Sequence, residues 1–215
     1  MKGMQQIDAK RTALAAVACL GFAHAAAAAV YTGSGGVLND ALDEPGVTTF
    51  TINVGDAGTI GAFGGLTLTS LQHTWCGDLQ ITLTAPDASS ISIVDRIGYT
   101  GSLFGDSSNY LGNYTFANGG ADIWALATAQ GNGTGFNIPS GTYAASGFGS
   151  GAALDLTSFF LGKSAQGMWK LTITDFESGD GGSLGSWSLN MSVVPGPGAW
   201  ALFAVAAIGR GRRRN

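Results

Sequence analysis

Cysteine is nearly absent from this chain, which carries only Cys19 and Cys76 in 215 residues. Histidine is as scarce, with His24 and His73, and charged residues make up 11% of the sequence. Each shortage excludes something. Too few histidines and cysteines rule out a transition-metal cluster of the usual His/Cys kind. Sparse charge beside 45% hydrophobic residues is the opposite of a disordered polyelectrolyte. A formal net charge of −4, with its one dense basic run confined to Arg210–Arg214, gives no electrostatic footprint for nucleic acid. No amphipathic helical pattern is evident between residues 30 and 194. What the chain has in quantity is glycine, 35 residues, which suits tight turns because glycine reaches positive φ without steric cost.

The two ends read as sorting segments. Lys2, Lys10 and Arg11 precede a short apolar run over residues 13–22, and small residues up to Ala29 offer cleavage sites, so residues 1–29 are expected to be a signal peptide. The run is too short for a membrane span. Removal of this leader takes Cys19 with it, leaves Cys76 alone and excludes an internal disulfide in the exported chain. At the other end, residues 195–215 join a Pro/Gly break, an apolar stretch and an arginine cluster. That layout resembles a PEP-CTERM surface-sorting signal, with Gly196 where the usual core has glutamate. It implies transient or permanent membrane contact and a bacterial cell-surface or outer-envelope location. An ordinary C-terminal membrane tail is the alternative.

Between the ends, apolar residues recur with period two. Phe50, Ile52 and Val54 alternate with polar residues, as do Leu66 and Leu68, Leu79, Ile81 and Leu83, Ile91 and Ile93, Trp169, Leu171 and Ile173, and Trp187, Leu189, Met191 and Val193. Such runs, bounded by Gly, Asp and Pro, are half-buried strands. Without intervening helices they predict an all-β antiparallel sandwich. Residues 30–60 read as an N-terminal strand and lead-in, and residues 61–194 as the main domain. The region 98–151 is less regular, with short strands expected at 114–116 and 123–126.

Two stretches are more specific. Residues 73–86, HTWCGDLQITLTAP, and residues 167–175, GMWKLTITD, which run on into 182–190, GSLGSWSLN, together resemble the P domain (P/Homo B) that accompanies subtilisin-like proprotein convertases. The resemblance spans about residues 61–194. It implies a galactose-binding-like jelly roll, and a non-catalytic extracellular role. The implied partners are an unidentified protein or surface glycan, or a subtilisin-like protease to which the module is an accessory. It also implies calcium, with Asp78 and Asp175 matching the family's acidic positions and Asp122 following more loosely. Glu177 and Asp180 add carboxylates in a glycine-bearing turn, and hard oxygen ligands are what calcium prefers. The bland alternative has Asp78 and Asp175 capping backbone N–H groups at strand ends. No catalytic domain is visible before residue 61, and His73 lacks a nucleophile elbow of the Gly-x-Ser-x-Gly kind, so no catalytic residue is assigned. Trp169 and Trp187 fall in phase with the core, whereas Trp75 and Trp124 are free to be exposed.

Overall fold

Residues 28–101, 104–130, 135–149 and 151–196 are described by the computed structural model of the protein. Residues 1–27 of the expected 1–29 leader and the C-terminal apolar segment lie outside the described residues, whereas Ala28 and Ala29 begin the first strand. Among the described residues no helix is long and apolar enough to cross a membrane.

Strands β1 (Ala28–Val37), β2 (Gly46–Val54), β3 (Thr59–His73), β4 (Leu79–Thr84), β5 (Ser90–Asp95) and β6 (Asn109–Ala121) build the first half. Short pieces follow: α1 (Ile123–Thr128), β7 (Asn137–Ile138), β8 (Gly141–Tyr143), β9 (Ala145–Ser146), β10 (Ala153–Leu154) and α2 (Leu156–Phe160). Strands β11 (Gly167–Asp175) and β12 (Gly182–Val194) close the fold. One main sheet has the order β1-β12-β3-β6-β7, with β8 also on β6, the other has β2-β11-β4-β5, and β9 and β10 form a separate two-stranded pair. Four of the first five connections, and the final one from β11 to β12, cross from one sheet to the other. The long strands all pair antiparallel, while β7 and β8 add to β6 in parallel. The result is an all-β sandwich, mixed at one edge.

The alternation read from the sequence is the burial pattern. Leu66, Leu68, Leu79, Ile81, Leu83, Trp169, Leu171, Trp187 and Leu189 are fully buried between the sheets. Their polar neighbours face outward because successive strand side chains point to opposite faces. The Trp169 indole donates to the Ala165 carbonyl at 2.9 Å and packs beside Phe63 and Phe160, so a large ring enters the core with its polar atom satisfied.

Two expectations need correction. Residues 123–126 lie in helix α1, not a strand: Asp122 caps its N-terminus by accepting from the Ala125 N–H at 2.9 Å, and a cap of this kind satisfies one of the free N–H groups of the first turn. Trp124 on that helix is only 9% exposed, so it offers no aromatic platform. Residues 30–60 hold most of β1 and all of β2, which pair with β12 and β11 and so supply an outer strand to each sheet.

Candidate binding site at one end of the sandwich

Strand register assembles the site. In the second sheet β4 and β11 run antiparallel with Leu79 opposite Asp175. The residue before β4, Asp78, therefore lies beside the residue after β11, Phe176, whose N–H donates to the Asp78 carbonyl at 3.1 Å. In the first sheet His73 ends β3 opposite Gly182 of β12 and Tyr110 of β6. The ends of both sheets thus meet at residues 73–78 and 175–182.

His73 and Asp175 join the sheets across the core. The His73 Nε2 lies 3.0 Å from the Asp175 Oδ2, with the side chains 0% and 2% exposed. The other ring nitrogen is 2.9 Å from the Trp75 carbonyl and 3.2 Å from the Trp75 N–H. Either protonation state of Nδ1 therefore finds a partner. The second Asp175 oxygen accepts the Glu177 N–H at 3.3 Å. This is the strand-end capping role, extended by a buried histidine that sequence alone did not connect to it.

Asp78 differs. It is 2% exposed, and its Oδ1 is buried with no hydrogen-bond partner. Burial first, then repulsion from Asp175, pushes its carboxyl up to about 7 from the ordinary 3.8, against the opposing pull of His73. Beside it opens a cleft of about 260 Å³ lined by Trp75, Asp78, Phe104, Glu177, Ser178 and Asp180. Asp180 accepts from the Thr74 hydroxyl at 2.5 Å.

The far wall is a loop latched onto the turn at Cys76–Asp78. Cys76 N–H donates to the Ser108 carbonyl, Gly77 N–H to the Asp106 carbonyl, and the Trp75 indole to the Phe104 carbonyl at 3.1 Å. These bonds hold the exposed Phe104 ring at the cleft. Gly77 permits the approach: a Cβ there would sit 2.5 Å from the Asp106 nitrogen and 2.6 Å from the Phe104 oxygen. Gly77→Ala is expected to cost about 1–3 kcal/mol, as overpacking against backbone does. Thermal melting checks this, and an unchanged melting temperature would show the loop to be loosely held. Cys76 itself is buried, and burial, aided by Asp106, raises its thiol well above the usual range. A thiol kept protonated is a poor nucleophile, so its role is packing.

Below the cleft Arg96 is 7% exposed and in the left-handed region, φ 46°. Its guanidinium donates to Glu177 at 2.9 Å and to the Gly77 carbonyl at 3.1 Å. The same group lies 3.9 Å over the Tyr99 ring and 4.8 Å from the Phe176 ring.

Of the three aspartates expected to bind calcium, two meet and one does not. Asp78 and Asp175 are neighbours. Asp122 follows Ala121, which shares the partner Tyr143 with Phe116. Phe116 is six residues along β6 from Tyr110, roughly 20 Å at the rise of a strand. Among the described residues no group of three or more His, Cys, Asp or Glu is placed to hold a metal ion. Phe104 and Arg96 escaped the sequence reading, for they lie in or beside an irregular segment without periodicity.

The sequence profile described as the proprotein convertase P-domain matches residues 66–191, more than half of the chain. No curated protein matches it. Among solved structures, the serine protease of Aeromonas sobria is similar at 17% identity and a TM-score of 0.43, over 81% of this chain and 28% of that one. The Aeromonas sobria serine protease in complex with the chaperone ORF2 gives 17% and 0.41, over 79% and 28%. The chain thus spans under a third of the length of these solved chains, and likenesses at this level transfer no activity.

Proposed function

The chain belongs to the proprotein convertase P-domain family, and from that premise we propose a non-catalytic extracellular module that binds a partner at the cell surface. The observation that carries this reading is the state of His73. Hydrolysis by a serine nucleophile needs a histidine base free to reach a hydroxyl. Here the described histidine is buried, with its ring nitrogens facing Asp175 and the Trp75 backbone. A side chain so placed holds two sheets together. The purified chain is therefore expected to release no fluorescence from quenched peptide substrates. Turnover that disappears in His73→Ala, with folding intact by circular dichroism, would overturn the reading.

A second reading makes the module an accessory that stabilises a subtilisin-like protease, the role P domains have beside their catalytic domains. Family membership favours it. Co-purification of such a protease from producer cells, with a rise in its melting temperature when the chain is added, distinguishes it from binding to a surface component. Surface display itself rests on the leader and the arginine-tipped tail, and intact mass in fractionated envelopes tests it.

Calcium has a reduced place in this proposal. Asp122 lies elsewhere, and the Asp175 oxygens already accept two donors, so the expected trio does not fit as a calcium cage. Calcium ordinarily takes six to eight oxygens. In our reading the ion only screens the acids of the cleft. Millimolar calcium should raise the melting temperature by no more than about 2 °C, since about 1 kcal/mol corresponds to 2–4 °C at this size. A rise well above that, abolished in Asp78→Asn, would restore a specific calcium site.

A further inference from the structure

We propose that the cleft between Trp75, Phe104, Asp78 and Asp180 is a recognition pocket for a basic side chain of a protein partner, with the arginine guanidinium as its best-matched occupant. The inference rests on the binding-module reading and names the chemistry of what is bound.

The first support is the orphaned oxygen. Asp78 is 98% buried in the sense that 2% of its surface is exposed, yet its Oδ1 has no partner and the residue lines the cleft. Leaving a buried acceptor unpaired costs about 1–3 kcal/mol, more when it is charged, so a donor entering from the cleft recovers what the fold alone does not. The second support is the charge around it. Asp78, Glu177 and Asp180 line the cleft, and Asp175 lies behind Asp78. Facing them are Arg96, already engaged by Glu177 and the Gly77 carbonyl, and His73, engaged by Asp175. Asp78 and Asp180 are thus left for an incoming cation.

The walls then choose among cations. Indole and phenyl rings offer nothing to a metal ion that needs oxygen ligands. They attract a flat delocalised cation over their faces by about 0.5–2 kcal/mol, and guanidinium combines such stacking with forked donation to carboxylates. The chain itself packs one guanidinium this way next door: Arg96 lies against Tyr99 and Phe176 while donating to Glu177. The cleft likewise brings aromatic side chains, Trp75 and Phe104, together with carboxylates, Asp78 and Asp180. Its volume, about 260 Å³, is below the roughly 300–1,000 Å³ of small-molecule pockets and on the scale of one long side chain.

The test follows the Trp75 indole N–H by NMR, assigned through Trp75→Phe, while the full chain is titrated with N-acetyl-arginine methylamide. The neutral citrulline analogue, methyl galactoside and calcium chloride are titrated in parallel. The expected result is a saturable shift with the arginine probe, little with citrulline, and at least about tenfold weaker binding in Asp78→Asn. Because Asp78 is buried, Asp180→Asn and Phe104→Ala, at more open positions, accompany it and should weaken binding at least about threefold each. Equal shifts with arginine and citrulline would overturn the proposal. So would unchanged affinity in all three variants, a stronger response to the sugar, or one to calcium alone. A failure here leaves the binding-module reading standing if the chain still captures a surface component or protease; loss of that capture is its own failure.

Discussion

Asp175→Ala is expected to lower the stability of the protein by about 1–3 kcal/mol, the usual cost of leaving a buried hydrogen-bonding group without its partner. Three consequences combine in that substitution. The His73 ring loses the oxygen 3.0 Å from its Nε2, inside a site where neither side chain reaches water. The Glu177 N–H loses its acceptor as the chain leaves β11. The link between the end of β3 in one sheet and the end of β11 in the other is also cut. Asp175→Asn should cost less, because its amide keeps the shape and one acceptor oxygen. Thermal or denaturant unfolding of the two variants measures the difference. If alanine and asparagine were equally mild, at under about 1 kcal/mol, the pair would be a passenger of the fold and not a fastener.

Asp78→Asn is expected to do the reverse at neutral pH and stabilise the chelator-treated protein. The folded carboxyl is raised to about 7 from 3.8 by burial and by Asp175. Between those values the folded state holds a proton that the unfolded chain has released, so stability falls as pH rises through this window. Below about pH 4 both states are protonated and the penalty vanishes; above about pH 7 it is complete. At about 1.4 kcal/mol for each tenfold change in proton affinity, that rise sets an upper bound near 4 kcal/mol. Solvent at the cleft mouth screens part of this, which leaves about 2–3 kcal/mol as the expected gain at pH 8. The wild-type chain should therefore melt higher at pH 5 than at pH 8, and the asparagine variant should flatten that dependence. A variant with the same pH slope as wild type would show that other groups carry it. The two substitutions separate the neighbouring aspartates by sign: Asp175 fastens the fold, whereas Asp78 strains it in the service of the cleft.

The strands were legible because their signal is local. Period-two alternation in residues 79–84, 167–173 and 187–193 places every second side chain on one face, and the apolar residues expected inside are buried in β4 and β11. In β12 Trp187, Leu189 and Met191 are buried, Val193 is half-buried and Leu184 is buried outside that phase. Trp169 and Trp187 followed from the same phase. The paired motifs around Asp78 and Asp175 were equally visible, and both lie within residues 66–191, which the family profile matches. The helix at Ile123–Thr128 was not, since four apolar residues in Ile-Trp-Ala-Leu fit strand or helix equally well. The available sign is Asp122, whose side chain caps the helix.

Sequence by itself determined that this chain is a glycine-rich β-sandwich poor in titratable side chains, and which acids stand at its strand ends. Those properties are written in nearest neighbours and short periods. Tertiary structure alone decided what each acid does. Register places Asp78 and Asp175 side by side from 97 positions apart, and the other sheet then brings His73 to one of them and not the other. Asp175, once paired, became structural. Asp78, whose Oδ1 is left without a donor, lines a cleft to which an irregular loop held by backbone hydrogen bonds contributes Phe104. Such partnerships depend on which strands pair and in what register, and no local pattern encodes that pairing.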